Sequence, residues 1–196
     1  MGRRKPDHYT DRAKKAGYQA RSVYKLEEIQ ERFGVIASGD RVLDIGAAPG
    51  SWTQRAAELV GRGGRVAAVD IAPIDVSVPQ GVLTTIRGDL YDEATQRRLH
   101  DLGPFDVILS DAAPATTGHR TVDTSRSAAL VELVVYLAED LLQTGGNLVA
   151  KIFQGGDEQA ILNDLRAKFQ TARAFKPKAS RKESFETFLI GTAKRR

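Results

Sequence analysis

The sequence predicts an α/β chain whose mainly parallel, seven-stranded sheet carries helices on both faces and ends in an antiparallel hairpin. Three observations carry this. Continuous apolar runs at 41–46, 65–70, 82–87, 105–111 and 146–153 read as strands buried on both faces. Helical patterns at 51–60, 95–102, 125–142 and 157–169 lie between several of them, and this alternation is the pattern of crossover connections in a parallel sheet. Near the end, 173–178 and 184–192 look like two strands joined by a short polar turn, which adds a hairpin at the sheet edge.

Taken in order, the elements follow from local chemistry. Val23, Leu26, Ile29 and Phe33 recur at helical spacing within 21–33, which predicts an amphipathic helix before the first strand. Strand one, RVLDIG, runs into Asp44-Ile45-Gly46-Ala47-Ala48-Pro49-Gly50, and Ser51-Trp52-Thr53-Gln54 opens a helix. Strand two ends in Asp70, strand three is followed by Gly88-Asp89, and strand four ends in Asp111 before Ala112-Ala113-Pro114. Gly145-Gly146 after Leu142 reads as a helix stop, and Lys151 sits near the end of strand five. Gly155-Gly156-Asp157 reads as a turn with an N-cap. There is no internal repeat, low-complexity tract or long Pro/Ser linker. One domain, 1–196, is therefore expected, with 1–38 a basic helical extension and 39–196 the core.

Length and composition exclude several classes. At 196 residues the chain suits one medium domain and not a large multidomain enzyme. The absence of cysteine removes disulfide scaffolds, thiolate metal sites and thiol nucleophiles. His8, His100 and His119 have no partner at ligand spacing, so no metal site is expected. The basic N-terminus is followed by polar residues, which argues against a signal peptide, and no apolar run is long enough for a spanning helix. The expectation is a soluble, monomeric, cytoplasmic protein. Its net charge of +4 is unevenly placed: residues 1–25 carry +6 and 173–196 carry +6, with −8 between them. Both ends contain aromatic and aliphatic residues and look folded. On one side of the domain they would make a cationic surface suited to phosphate backbones.

The loop after strand one points to a nucleotide cofactor. A glycine-rich turn between strand and helix brings a ligand close to unpaired backbone N–H groups. A dinucleotide fingerprint would need a glycine two residues after Gly46, where Ala48 stands, so the position that admits a pyrophosphate is missing. Asp44 suits a cationic ligand, and Asp70, 20 residues beyond Gly50, can accept both hydroxyls of an unmodified ribose. S-adenosyl-L-methionine, with a ribose and no diphosphate, fits. Asp89, at the same edge of the sheet, can accept a hydrogen bond from an adenine amino group.

Asp44–Gly50 with Ser51-Trp52, Leu109–Pro114, Leu148–Phe153 and Lys178 through Glu186 together resemble the FtsJ family of RNA 2′-O-ribose methyltransferases, over about 18–191. The resemblance implies a Rossmann-like methyltransferase fold and a catalytic tetrad at Lys25, Asp111, Lys151 and Glu186. It also implies cofactor contacts at Gly50, Trp52, Asp70, Asp89 and Asp111, beside Gly46 in the glycine-rich turn. Ser51 stands where many relatives carry a second glycine, and Phe188 where a tyrosine is common. In size and layout the chain is nearest the members that methylate a uridine of bacterial 23S ribosomal RNA in the large (50S) subunit. Methylation of tRNA, a non-catalytic RNA-binding or ribosome-assembly role, and small-molecule methylation are the alternatives. Both lysines and both carboxylates are present, which disfavours a silent scaffold, and two basic ends have no use with a small substrate.

The implied reaction leaves Lys151 two roles. A ribose hydroxyl is a weak nucleophile that must lose its proton. Lys151 can take that proton only if it is neutral, a fall of about three pKa units or about 4 kcal/mol. If it stays charged, it orients the hydroxyl and stabilises the developing oxyanion.

Overall fold

A computed structural model describes residues 8–155, 157–181 and 183–196. Strands β1 (Arg41–Ile45), β2 (Arg65–Asp70), β3 (Leu83–Arg87), β4 (Phe105–Ser110), β5 (Leu142–Phe153), β6 (Phe169–Phe175) and β7 (Glu186–Lys194) form one sheet, in the order β3-β2-β1-β4-β5-β7-β6. The first five run parallel, and β7 is antiparallel to both β5 and β6. The helices are α1 (His8–Lys15), α2 (Val23–Phe33), α3 (Ser51–Val60), α4 (Glu93–Leu102), α5 (Arg120–Leu141) and α6 (Glu158–Lys168).

Alternation along the strands divides the core into two layers. In β4, Val107 and Leu109 join Leu26 and Ile29 of α2 and Trp52 and Ala56 of α3 on one face. Ile108 between them joins Val131 and Val134 of α5 and Leu165 of α6 on the other. Every central strand must therefore be apolar on both sides, which is why these runs are legible in the sequence.

Several boundaries differ from expectation, each for a local reason. Gly145-Gly146 does not stop a helix: α5 already ends at Leu141, and the chain enters β5 at Leu142. The glycines instead take up a shift in register, since Phe105 faces Leu142 but Val107 faces Asn147. Gly145 adopts φ +85°, and a Cβ on Gly146 would lie 2.7 Å from the Asp106 carbonyl oxygen. Helix α5 begins five residues earlier than the pattern suggests, because the polar run 120–124 hides its first turn. Phe169, expected as the end of a helix, is buried as the first residue of β6, so that strand covers Phe169–Phe175 and not 173–178. The expected short polar turn is a longer connection, 176–185, that folds back over α2. Helix α1 lies within the expected helical extension but has no apolar pattern that would set its bounds, since it offers only Ala13 and Tyr9 to the small cluster containing Val23, Tyr24 and Ala179. Part of the expected Gly155-Gly156-Asp157 turn, at Gly156, and the basic residues of 1–7 lie outside the described residues.

Candidate active site

The chain leaves β1 in one direction to form β2 and β3 and returns on the other side as β4 and β5. Open parallel sheets place ligands at the carboxyl ends of the strands flanking such a switch point. A cavity of about 560 Å³ lies there, within the usual range for small-molecule sites. Gly46, Asp70, Asp89 and Asp111 line it, with Tyr91 and Arg126.

The loop after β1 is shaped by close approach. Gly46 adopts φ +73°, and a Cβ there would stand 2.5 Å from the Ala112 Cα, so only glycine lets the β1 and β4 loops meet. Gly50 and Trp52 are not among the residues lining the cavity. A Cβ on Gly50 would meet the Val76 side chain at 2.1 Å. Trp52 is buried, stacks on Phe188 with centroids 5.7 Å apart, and donates its indole N–H to the Ser22 carbonyl at 2.8 Å. Beside it the Ser51 hydroxyl accepts the Ala20 N–H at 2.7 Å. These two side chains tie the first turn of α3 to the chain entering α2, the helix that carries Lys25.

Among the described residues, Asp70, Asp89 and Asp44 on this edge make no ion pair. Asp70 accepts the Ala48 N–H at 2.9 Å and the Ala72 N–H at 2.8 Å, which fixes it across the β1 loop. Asp89 accepts the Tyr91 N–H at 3.0 Å. Beneath them Asp44 is fully buried: one oxygen accepts the Thr53 hydroxyl at 2.6 Å and the other has no hydrogen-bond partner. Burial pushes its carboxyl up to about 7, with Asp111 and Asp70 adding to the effect and the Thr53 bond opposing it.

Four side chains meet beside the cavity, and of these Asp111 also lines it. The Lys151 ammonium at the end of β5 donates to the Asp111 carbonyl at 2.5 Å and faces the Asp111 carboxylate at 3.0 Å. Lys25 from α2 pairs with Glu186 of β7 at 2.6 Å and reaches Asp111 at 4.0 Å. The result is a chain of alternating charge, Lys151–Asp111–Lys25–Glu186, with two cations balancing two carboxylates. Burial alone would raise the Glu186 carboxyl, but the Lys25 ammonium, helped by Lys151, overrides it and holds the group below its ordinary value. All four residues singled out in the sequence thus meet in space, and Asp111 belongs both to this chain and to the cavity.

Two supporting groups escaped the sequence reading. The Glu28 carboxylate accepts the backbone N–H groups of Lys178 and Ala179, each at 2.7 Å, while Arg21 donates to the Ala179 carbonyl. The 176–185 connection is thereby clamped to α2 next to the Lys25–Glu186 pair. The only hint in the sequence is that Glu28 lies one helical turn beyond Lys25. Asp123 of α5 accepts the Thr117 N–H at 2.7 Å, the Thr117 hydroxyl at 2.9 Å and the Gly118 N–H at 3.2 Å. It anchors the loop that begins at Asp111, and no short motif signals it.

Known proteins share this layout. The model of the FtsJ-like methyltransferase family matches residues 18–194. A curated relative from Treponema denticola, named Ribosomal RNA large subunit methyltransferase E, is 52% identical over 95% of this chain and 94% of its own. One of the same name from Syntrophobacter fumaroxidans is 47% identical over 94% of both. A crystal structure from Plasmodium falciparum, provisionally described as a ribosomal RNA methyltransferase, superposes with a TM-score of 0.80 at 24% identity, over 90% of this chain and 98% of that one, and shares the fold. With a family match over most of its length and relatives near half identity, the chain belongs to the FtsJ-like methyltransferase family.

Proposed function

We propose that the protein is an S-adenosylmethionine-dependent RNA 2′-O-ribose methyltransferase that modifies a uridine of 23S ribosomal RNA within the large subunit. It acts as a monomer in the cytoplasm and as one domain, with 1–38 a basic extension of the core 39–196. The observation that carries this reading is Asp111, which lines the cofactor-sized cavity and also pairs with Lys151. Through it the methyl donor and the acceptor hydroxyl would share one carboxylate. The names of the curated relatives support the choice of ribosomal over transfer RNA.

The cavity fits the cofactor by its chemistry: Asp70 and Asp89 line it with no ion pair among the described residues, and Asp44, buried outside the lining, keeps an oxygen without a hydrogen bond. These carboxylates favour a ligand with positive charge. When bound, the cofactor supplies a methyl group on a sulfonium that departs as a neutral thioether, so no acid is needed. Gly46 would admit the ligand close to the backbone, Asp70 would accept the ribose hydroxyls and Asp89 would take the adenine amino group. Gly50 and Trp52 act indirectly, by holding the loop and the start of α2 in place.

On the acceptor side, two Asp111 oxygens face the Lys151 ammonium, and a further N–H is left for the ribose hydroxyl. Lys151 orients the 2′-oxygen and stabilises the charge that develops on it as its proton passes to water. Asp111 orients Lys151, while the Lys25–Glu186 pair keeps Asp111 in place. At saturating cofactor, a single-turnover rate independent of pH from about 6 to 10 is expected; a limb titrating within that range and kept in Asp44→Asn would make Lys151 a base instead.

The substrate is tested with methyl-labelled cofactor and large ribosomal subunits, in parallel with total tRNA, followed by mapping of the 2′-O-methyl position. Label in the large-subunit RNA supports the reading. Label in tRNA alone overturns the choice of substrate, and no transfer to either points to the silent RNA-binding alternative.

A further inference from the structure

We propose that Phe185, Phe153 and Arg120 form a stacking platform for the base of the nucleotide whose ribose is methylated. The proposal rests on the reading of the site as one that accepts an RNA ribose. Of the seven phenylalanines, Phe105, Phe169 and Phe188 lie in the hydrophobic core, and Phe33 and Phe175 pack against it. Phe153 and Phe185 belong to no core cluster. Instead they pack on each other, with centroids 4.8 Å apart and planes at 57°. A pair of rings that the core does not use, next to reactive groups, calls for another role.

Their position supplies it. Phe153 lies two residues beyond Lys151 on β5, so the pleat sends both side chains to the same face of the sheet, about 7 Å apart along the strand. Its cross-strand partner is Glu186, and Phe185 immediately precedes Glu186. Arg120, the first residue of α5, lies over the Phe185 ring with its Cζ 5.3 Å from the centroid. Both rings are half-buried, while Arg120 is exposed. One face of the guanidinium therefore rests on Phe185 and the other is open to a ligand. Unpaired RNA bases stack on aromatic rings and on arginine planes alike, and the phosphate next to such a base welcomes the guanidinium's charge. A ribose held at Lys151 would carry its base toward these groups.

The test measures methyl transfer to large ribosomal subunits isolated without the modification. Phe185→Ala and Arg120→Ala are each expected to raise KM by roughly 5-fold to 150-fold, the range for one lost base stack, with cofactor affinity unchanged. Phe185→Trp is expected to keep a KM near that of the parent, and its new indole to be quenched when subunits are added. A Tyr136→Trp control, on the exposed side of α5, should show no quenching. If Phe185→Ala does not fold, Arg120→Ala and the Phe185→Trp emission decide. Unchanged KM in the alanine variants and unchanged emission, from an enzyme that methylates the subunits, overturn the platform and leave the proposed function standing. No transfer by the parent enzyme to any RNA overturns the proposed function, and the platform with it.

Discussion

Asp44 is fully buried and the Glu186 side chain is 11% exposed, and the proton affinities of these two carboxylates move in opposite directions. At Asp44 burial acts nearly unopposed, because its neighbours are a hydroxyl and two more carboxylates. At Glu186 an ammonium 2.6 Å away reverses the effect of burial. The difference separates two halves of the site. The half under the cavity, with Asp44, Asp70 and Asp89, has no ion pair among the described residues, and under the proposed function a cationic ligand would complete it. The half between β5, β7 and α2 is neutral in itself, two cations paired with two carboxylates.

The strongest way to sharpen that contrast is to remove one member of the assembled half. Lys151→Ala is expected to lower single-turnover methyl transfer about 10³-fold while leaving cofactor affinity within a factor of about three. Full activity in this variant would remove Lys151 from the mechanism, and a comparable loss of cofactor binding would mean that the halves are not independent. Lys25→Met strips Glu186 of its counter-charge in a setting where both side chains are about one-tenth exposed. Breaking a pair of this kind destabilises by about 3 kcal/mol, and the double variant Lys25→Met/Glu186→Gln should recover much of it in denaturant unfolding. An equal loss in single and double variants would show that the helix needs the lysine's stem and not its charge.

The two halves were also unequally legible in the sequence. The cavity half is made of strand ends and tight turns, so Gly46, Asp70, Asp89 and Asp111 could be placed from apolar runs and the residues that stop them. Lys151 could be placed in the same way, as a charge inside a buried strand. Lys25 and Glu186 lie in charge-rich segments where composition alone suggests a solvated surface, and only the family resemblance singled them out. Glu28 and Asp123 were missed because each binds backbone N–H groups, a role that any carboxylate near a loop can fill. Trp52 was drawn to the cofactor by its motif, while the structure seats it between Ser22 and Phe188, one step removed. Periodicity reports burial, and motifs report adjacency in sequence; neither reports which backbone amides a side chain will reach.

The uncompensated half makes a pH-dependent prediction whose sign follows from Asp44. Its carboxyl titrates near 7 in the folded protein, above its ordinary value of 3.8, so the folded state binds more protons between those limits. Stability contributed by this group is present at low pH and is lost as pH rises toward 7. A cationic cofactor favours the ionised form, so its affinity should rise several-fold between pH 6 and pH 8. Asp44→Asn is expected to flatten both profiles, as read by unfolding midpoints and by calorimetry. Glu186 has the opposite sign: its contribution is present above its ordinary range and is lost only as pH falls through its depressed value. Profiles that keep their slope in Asp44→Asn would assign the titration elsewhere.

The smallest expected effect falls at the seam between the halves, at Ser51. Its hydroxyl accepts the Ala20 N–H and so couples the first turn of α3, under the cavity, to the approach to Lys25. Ser51→Gly deletes that bond and loosens the helix start, for a loss of about 1 kcal/mol in unfolding free energy. Ser51 is not among the residues lining the cavity, so the cofactor's surroundings should tolerate the change and the rate should fall less than about threefold. A larger loss of rate at unchanged cofactor affinity would mean that Ser51 transmits the position of one half to the other. A loss confined to stability would mean that α2 is held in register by Trp52 and Glu28, whose bonds to Ser22 and to the 178–179 backbone remain.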